Sequence, residues 1–224
     1  MGRLFHRGFN SRLGNEMAFD DIKSTVNNYY TDKLNQFGPS FQGVDWNSSD
    51  SQELRFEQLL KICDTSSPFV LNDLGCGYGA MYGYMLEKGF RFEYRGYDLS
   101  EAMIQKAELL YGDQNNCRFV SGDALKTADY TVGSGLFNVK LDISEKNWQS
   151  YIFSVLETMN QCSEKGFAFN MLTRYSDKEH MKDKLYYPDP CFYFDYCKKN
   201  FSPRIALLHD YPLYEFSILV KKDS

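Results

Sequence analysis

Residues that could bind a small ligand occur in one glycine-rich segment and at two aspartates further along the chain. The segment is Asp73-Leu74-Gly75-Cys76-Gly77-Tyr78-Gly79, and it follows the apolar run 69–71. Glycines at alternate positions let the backbone turn sharply and approach a ligand where a Cβ would collide. Asp98 and Asp123 each follow a further predicted strand, where a carboxylate can accept hydrogen bonds from a bound molecule. The spacing therefore indicates a cofactor site at the ends of neighbouring strands.

Alternating helix and strand signals predict the elements that position these residues. Apolar periodicity and glycine stops predict strands and helices in turn, and Ser100 and Ser144 are predicted helix N-caps. The predicted strands are 69–71, 92–97, 117–120, 130–139, 166–172, 205–209 and 213–220, and the predicted helices include 19–37, 51–63, a segment up to Lys88 and one ending near Asn200. Five β-α units followed by two strands on a short turn predict a mostly parallel seven-stranded sheet. Helices cover both faces, and an antiparallel hairpin closes the chain.

Length and composition limit the possible classes of protein. The 224 residues predict a single domain, with 1–50 as an N-terminal lid or helical extension and 51–224 as the core, which carries an insertion near 174–191. The net charge of −5 and the absence of a Lys/Arg cluster argue against nucleic-acid binding. The six cysteines form no C-x-x-C pair, so we expect no metal. With no signal-peptide pattern and no membrane-length apolar run, a cytoplasmic protein is expected.

The segment Val70-Leu71-Asn72-Asp73-Leu74-Gly75-Cys76-Gly77-Tyr78-Gly79 resembles the first motif of the class I S-adenosylmethionine-dependent methyltransferases. That motif is an apolar strand, an acid and then G-x-G-x-G, and the terminal hairpin is similar to the sixth and seventh strands of the family. The order of elements resembles the family over roughly residues 50–221. The chain also looks like small-molecule methyltransferases of bacterial natural-product and surface-sugar pathways. The resemblance implies a Rossmann-like fold, S-adenosylmethionine as cofactor and S-adenosylhomocysteine as product.

The resemblance also assigns roles to individual residues. The glycine loop packs against the amino-acid part of the cofactor, Asp73 contacts its ammonium group, Asp98 accepts the ribose hydroxyls, and Asp123 accepts the adenine amino group. Arg55, on the helix after the lid, is suited to the cofactor carboxylate because its planar guanidinium can bind in bidentate fashion. The predicted cofactor-binding residues are Trp46, Arg55, Asp73, Gly75, Cys76, Gly77, Tyr78, Gly79, Asp98, Leu99, Met103, Gly122, Asp123, Ala124 and Ser134.

Candidate catalytic residues are few. Asn138, near the end of the fourth predicted strand, can hydrogen-bond cofactor or substrate, or it can satisfy backbone groups. His180 in the insertion and His209 at the end of the sixth strand are candidate general bases. The alternative interpretations are a solvated loop residue for His180 and a core or turn residue paired with Asp210 for His209. A base is needed only if the methyl acceptor is a hydroxyl or a protonated amine.

The function predicted from the sequence is methyl transfer to a hydroxyl or amine of a small metabolite, such as a sugar or natural-product intermediate, by in-line displacement. Two alternatives stay open: a methyltransferase for RNA or protein, and a nicotinamide-dependent oxidoreductase. The loop G-x-G-x-G, in place of G-x-G-x-x-G, argues against the oxidoreductase. Residues from about Tyr29 to Arg55, which include Trp46, are predicted to close over the cofactor as a lid. The sequence indicates neither the acceptor nor the oligomeric state.

Overall fold

A computed structural model describes residues 10–38, 40 and 48–222, with the backbone alone over 10–18. Helices and strands alternate through most of this part of the chain. The helices are α1 (Asn10–Phe37), α2 (Ser49–Leu60), α3 (Ala80–Glu87), α4 (Glu101–Tyr111), α5 (Glu145–Gln161) and α6 (Pro190–Asn200). The strands are β1 (Phe69–Leu74), β2 (Phe92–Asp98), β3 (Cys117–Ser121), β4 (Ala128–Gly133), β5 (Ser163–Leu172), β6 (Arg204–Leu208) and β7 (Glu215–Lys221).

The strands form one sheet in the order β3-β2-β1-β4-β5-β7-β6. The pairs from β3 to β5 are parallel, and β7 runs antiparallel to both β5 and β6. The mostly parallel sheet and its C-terminal hairpin confirm the fold predicted from the sequence. Because β1 lies between β2 and β4, the chain reverses its direction of winding there, and a crevice opens at the carboxyl ends of these strands.

Short polar side chains begin several of the helices. Ser100 Oγ accepts from the amide of Met103 and Ser144 Oγ from that of Asn147, as the sequence predicts. Ser48 and Asp189 cap α2 and α6 in the same way. The capped ends of α2 and α4 fix where these helices start beside the crevice.

Two apolar cores lie on opposite faces of the sheet. Aromatic residues of β5, such as Phe167 and Phe169, pack with α5 and α6 on one face. Ala168, between them in sequence, packs with α2 and α3 on the other. Residues Ile22 and Val26 of α1 belong to the first core. The described segment 122–127 joins β3 to β4 without a helix, and α1 packs beside it against α4 and α5.

Two predicted strands differ from the structure. The predicted strand 130–139 ends at Gly133, because Gly135 has a φ of 70° and the chain leaves the sheet there. Glu215 and Ser217 of β7 are buried, although a polar-apolar alternation suggests one solvated face. Strand β7 lies between β5 and β6 with both faces covered, so Glu215 and Ser217 find partners inside the protein. Among the described helices, none has the length and apolar character needed to cross a bilayer.

Candidate cofactor and active site

A cavity of about 300 Å³ opens at the carboxyl ends of β1, β2 and β4. Its volume lies within the range of small-molecule sites. The structure brings most of the predicted cofactor-binding residues to its wall, namely Asp73, Gly75, Cys76, Gly77, Tyr78, Asp98, Leu99, Met103, Gly122, Asp123 and Ser134. Gly79 and Ala124 adjoin this wall without being part of it, and Trp46 lies outside the described residues.

The glycine loop has a backbone conformation that other residues rarely adopt. Gly75, Gly77 and Gly79 have φ values of 76°, 54° and 86°. A Cβ built on Gly75 would lie 3.0 Å from Leu136 Cδ1, across the cavity wall. The loop thus needs glycine for its turn and because Leu136, which follows β4, approaches it closely. It presents backbone rather than side chains to a ligand.

Asp73 is a buried carboxyl at the base of the cavity, 2% exposed. Tyr94 Oη donates to its Oδ2 at 2.5 Å. Burial raises the pKa of Asp73 to about 7, the Tyr94 hydrogen bond opposes the shift, and the neighbouring Asp98 adds to it. A cationic group of a ligand at this position would stabilise the charged form.

Asp98 joins the glycine loop to the start of α4. Its Oδ2 accepts from the amide of Gly77 at 2.9 Å, and its Oδ1 accepts from the amide of Ser100 at 2.8 Å. Burial raises the pKa of Asp98, and these two hydrogen bonds lower it. Each carboxylate oxygen retains a second lone pair, so Asp98 can still accept from the hydroxyls of a ligand.

Helix α1 supplies a wall of the cavity that sequence reasoning missed. Phe19, Lys23, Val26, Asn27 and Tyr30 follow one another on one side of α1 and line the cavity. Lys23 Nζ lies 2.8 Å from Asp123 Oδ2, so the third predicted acid is ion-paired to this helix. The helical spacing was visible in the sequence, but nothing local to it indicates which part of the sheet the helix covers.

Residues from two further helices complete the cavity. Gln52 and Phe56 of α2 lie at one end with Tyr78, whose hydroxyl donates to Gln52 Oε1 at 3.4 Å. Tyr151 and Ser154 of α5 line the wall as well, and neither was among the predicted site residues. The wall is therefore mostly apolar or neutral, with its carboxylates confined to the strand ends.

The structure does not bring Arg55 to the cavity. Its Nε donates to both carboxylate oxygens of Glu215, at 2.9 and 2.8 Å, and its Nη1 donates to the Ser51 carbonyl at 2.6 Å. The guanidinium is thus engaged in a buried ion pair rather than placed for a cofactor carboxylate. Glu215 lies 160 positions further along the chain, so no local pattern signals the pairing.

The three candidate catalytic residues also lie away from the cavity wall that the described residues form. Asn138 is buried, and its Oδ1 accepts from the amide of Leu172 at 3.0 Å, which is the backbone role that the sequence left open. His180 is exposed beside the Tyr214 ring, and His209 is exposed beside Tyr175. None of the three is placed to take a proton from an acceptor in this cavity.

The residues at the wall fit a cofactor with a cationic amino-acid end and an adenosine end. The glycine loop leaves room for a ligand to lie against its backbone. Among the described residues no cationic side chain is paired with the buried carboxyl of Asp73, and Asp98 can accept further hydrogen bonds. Leu99, Met103 and Leu136 provide the apolar contacts that a flat ring requires. This donor set suits a sulfonium compound such as S-adenosylmethionine.

Comparisons with known proteins agree with this fit. A family model described as a methyltransferase domain matches residues 71–156. The Putative methyltransferase Rv1506c of Mycobacterium tuberculosis is 46% identical over 166 residues, which are 74% of this chain and all of that protein.

Solved structures share the fold at low sequence identity. Magnesium protoporphyrin IX methyltransferase from Synechocystis, with bound S-adenosylhomocysteine, aligns with a TM-score of 0.61 and 14% identity over 92% of this chain and 100% of that one. Human N-acetylserotonin methyltransferase, with S-adenosylmethionine, aligns with a TM-score of 0.59 and 15% identity over 76% of this chain. The chain spans 52% of that human enzyme's length.

Proposed function

Because the chain belongs to the class I S-adenosylmethionine-dependent methyltransferases, we propose that it transfers the methyl group to a hydroxyl or amine of a small metabolite. A sugar or natural-product intermediate is the acceptor class proposed. The observation that carries the proposal is the small size of the cavity beneath two helices. Helices α1 and α2 both contribute to its wall and leave about 300 Å³, which suits a small ligand better than a folded macromolecule.

The three strand-end acids are proposed to orient the cofactor. Asp123 accepts a hydrogen bond from the adenine amino group, Asp98 accepts from the ribose hydroxyls, and Asp73 pairs with the ammonium group. This arrangement puts the amino-acid part of the cofactor beside the glycine loop. When bound, S-adenosylmethionine supplies a methyl group on a positively charged sulfur that is already a good leaving group. We propose that the acceptor lies at the part of the cavity near Gln52, Tyr78 and Ser134, all of which line it.

The protein's part in the reaction is chiefly alignment and exclusion of water. Tyr78 and Gln52 can hydrogen-bond an acceptor hydroxyl or amine, and Phe56 keeps that end apolar. Ser134 Oγ is buried and lacks a hydrogen-bond partner among the described residues, so it is available to hydrogen-bond a ligand. We propose that an amine acceptor reacts as its neutral form and loses a proton to water after the transfer, and that a hydroxyl acceptor loses its proton to water as the O–methyl bond forms, so that neither needs a histidine at the cavity.

The decisive experiment follows methyl transfer from labelled S-adenosylmethionine to a panel of acceptors. The panel contains sugars, phenols, alcohols and small amines in one arm, and total RNA and unfolded protein in the other. We expect label on a small acceptor, and on that acceptor a fall in turnover of at least about tenfold for Gln52→Ala or Tyr78→Phe. Label only on RNA or protein would overturn the proposed substrate class. Calorimetric titration with NADH, expected to show no binding, tests the oxidoreductase alternative.

A further inference from the structure

Three buried polar side chains that do not line the cavity connect α2 by hydrogen bonds to the backbone of Gly135, which does. This chain of hydrogen bonds begins at Arg55 on α2, passes through Glu215 at the start of β7 and Asn170 on β5, and ends at the backbone amide of Gly135. The Arg55 and Glu215 side chains are 7% and 1% exposed, and Asn170 is fully buried. None of these side chains is part of the cavity wall.

Each link of this chain, which we call the buried relay, is short. Arg55 Nη2 donates to Glu215 Oε1 at 2.5 Å, and Asn170 Nδ2 donates to Glu215 Oε2 at 2.5 Å. Asn170 Oδ1 accepts from the Gly135 amide at 2.7 Å. The amide of Asn170 is thus fixed in orientation, because its NH₂ group faces a carboxylate and its oxygen faces an N–H donor.

The two ends of the relay adjoin two parts of the cavity wall that come from different elements. Gln52 precedes Arg55 by three residues, on the same side of α2, and lines the cavity. At the other end, Ser134, Gly135 and Leu136 form the turn after β4 and line it as well. Gly135 has a φ of 70° and lies beyond the end of β4 at Gly133, so strand pairing does not hold this turn in place.

A buried ion pair is a costly way to obtain stability alone. Removing two charges from water offsets most of their attraction, and well-packed apolar residues often replace such a pair without loss of stability. What apolar residues cannot supply is an oriented acceptor for the Gly135 amide. The geometry therefore favours a role in placing the turn over a role in holding the fold together.

We infer that Arg55, Glu215 and Asn170 are positioning residues that set the distance between α2 and the Ser134–Gly135 turn. They fix the width of the cavity at the end where the proposed function places the acceptor, and the inference rests on that function only for this placement. Because the same turn also lines the cofactor part of the cavity, its displacement changes cofactor affinity too. The relay thus makes one part of the cavity wall depend on the other.

The test uses the full chain and two readouts that require no acceptor, the dissociation constant of S-adenosylhomocysteine and the proton chemical shift of the Gly135 amide. In the double variant Arg55→Met with Glu215→Leu, we expect a folded protein, an upfield shift of that amide and about tenfold weaker binding. Arg174→Met removes an exposed ion pair with Asp189 and is the matched control, expected to change neither readout.

Asn170 offers a rescue experiment that a merely structural role would not pass. Asn170→Leu removes the acceptor of the Gly135 amide and should resemble the double variant. Asn170→Asp places a second carboxyl against Glu215, and two such groups share one proton at low pH but repel each other when both are charged. The Asp variant should therefore bind S-adenosylhomocysteine nearly as the native protein does at pH 6, and about tenfold more weakly than the native protein at pH 9.

A folded double variant with native affinity and an unmoved Gly135 resonance would overturn the inference. So would an Asn170→Asp protein whose affinity, relative to the native protein, does not change with pH. If Asn170→Leu fails to fold, the double variant and the Asp variant still decide the matter. If no small acceptor is ever methylated, the proposed substrate class fails while both readouts of the relay still stand.

Discussion

Asp73 meets two opposing demands at the scale of a single residue. Burial, with a smaller effect of the neighbouring Asp98, raises the pKa of Asp73 to about 7. Its proposed role, however, requires a negative charge for the cofactor ammonium. Because protonation of Asp73 competes with ligand binding, affinity for S-adenosylhomocysteine should weaken by about tenfold as the pH falls from 8 to 6. Titration calorimetry across this range measures the change. Asp73→Asn should bind weakly at every pH, and an equally steep pH dependence in that variant would assign the effect to another group.

The same carboxyl has the opposite effect on the stability of the unliganded protein. Its pKa is about 7 when folded and near 3.8 when unfolded, so the native state binds a proton that the unfolded chain releases between these values. The contribution of Asp73 to stability therefore increases as the pH falls through 7 and is complete below about 4. Urea unfolding of the native chain and of Asp73→Asn at pH 8 and pH 5 separates this contribution from the others. We expect the stability of the variant relative to the native chain to be greater at pH 8 than at pH 5.

Asp98 is the residue whose replacement should weaken cofactor binding most directly. Asp98→Ala removes the proposed acceptor of the ribose hydroxyls and also the acceptor of the Gly77 and Ser100 amides. We expect a loss of about 1.5–3 kcal/mol in binding S-adenosylhomocysteine, since hydrogen bonds to a charged group are involved. Asp113→Ala, an exposed acid at the end of the α4 region, is the control. An unchanged dissociation constant for Asp98→Ala would disprove the ribose assignment.

At the scale of elements, α1 and the start of α2 are the parts of the predicted lid that the structure describes. The cavity side of α1 runs from Phe19 to Tyr30, earlier in the chain than most of the predicted lid at 29–55. Thr31 also hydrogen-bonds to Ser100 at 2.9 Å, which ties the helix to the start of α4. We expect S-adenosylhomocysteine to slow hydrogen exchange of the backbone amides over 19–37, because the ligand fills the space under the helix. Helix α6 provides the internal control, and equal exchange of α1 with and without ligand would refute its role as a lid.

The sequence predicted the elements whose signals are local and missed those that depend on distant partners. The glycine loop, the acids Asp73 and Asp98 and the N-caps Ser100 and Ser144 are each identified by a few neighbouring residues. The pairing of Arg55 with Glu215 is not, and an arginine near a cofactor site gives no sign of which carboxylate it meets. The prediction that the fourth strand continues to residue 139 is wrong for the same reason, since burial by distant residues looks like strand character in the sequence. Phe137 and Val139 look like strand residues, but they are buried after the chain has already left the sheet.

At the scale of the whole molecule, we expect the fold to need neither metal nor disulfide. The six cysteines are unpaired, and burial raises the pKa of the Cys197 thiol to about 12 and that of Cys76 well above its usual value. The thiols at these two positions are thus poor nucleophiles and poor ligands. EDTA and a reductant should each leave the melting temperature and the affinity for S-adenosylhomocysteine unchanged, as thermal melts and calorimetry will show. A drop in either quantity with EDTA would indicate a bound metal.

The position of α1 beside the segment 122–127 also has a consequence for biosynthesis. This helix is made before the sheet, and its partners Ser100, Asp123 and Tyr151 are made 69 or more residues later than the α1 residues they contact. Contacts so distant in sequence form late, because a long loop must close before they contribute. The nascent sheet can thus assemble from β1 to β4 while the first helix is still undocked. Docking of α1 then completes its wall of the cavity, so the site is finished only after the strand ends that line it are in place.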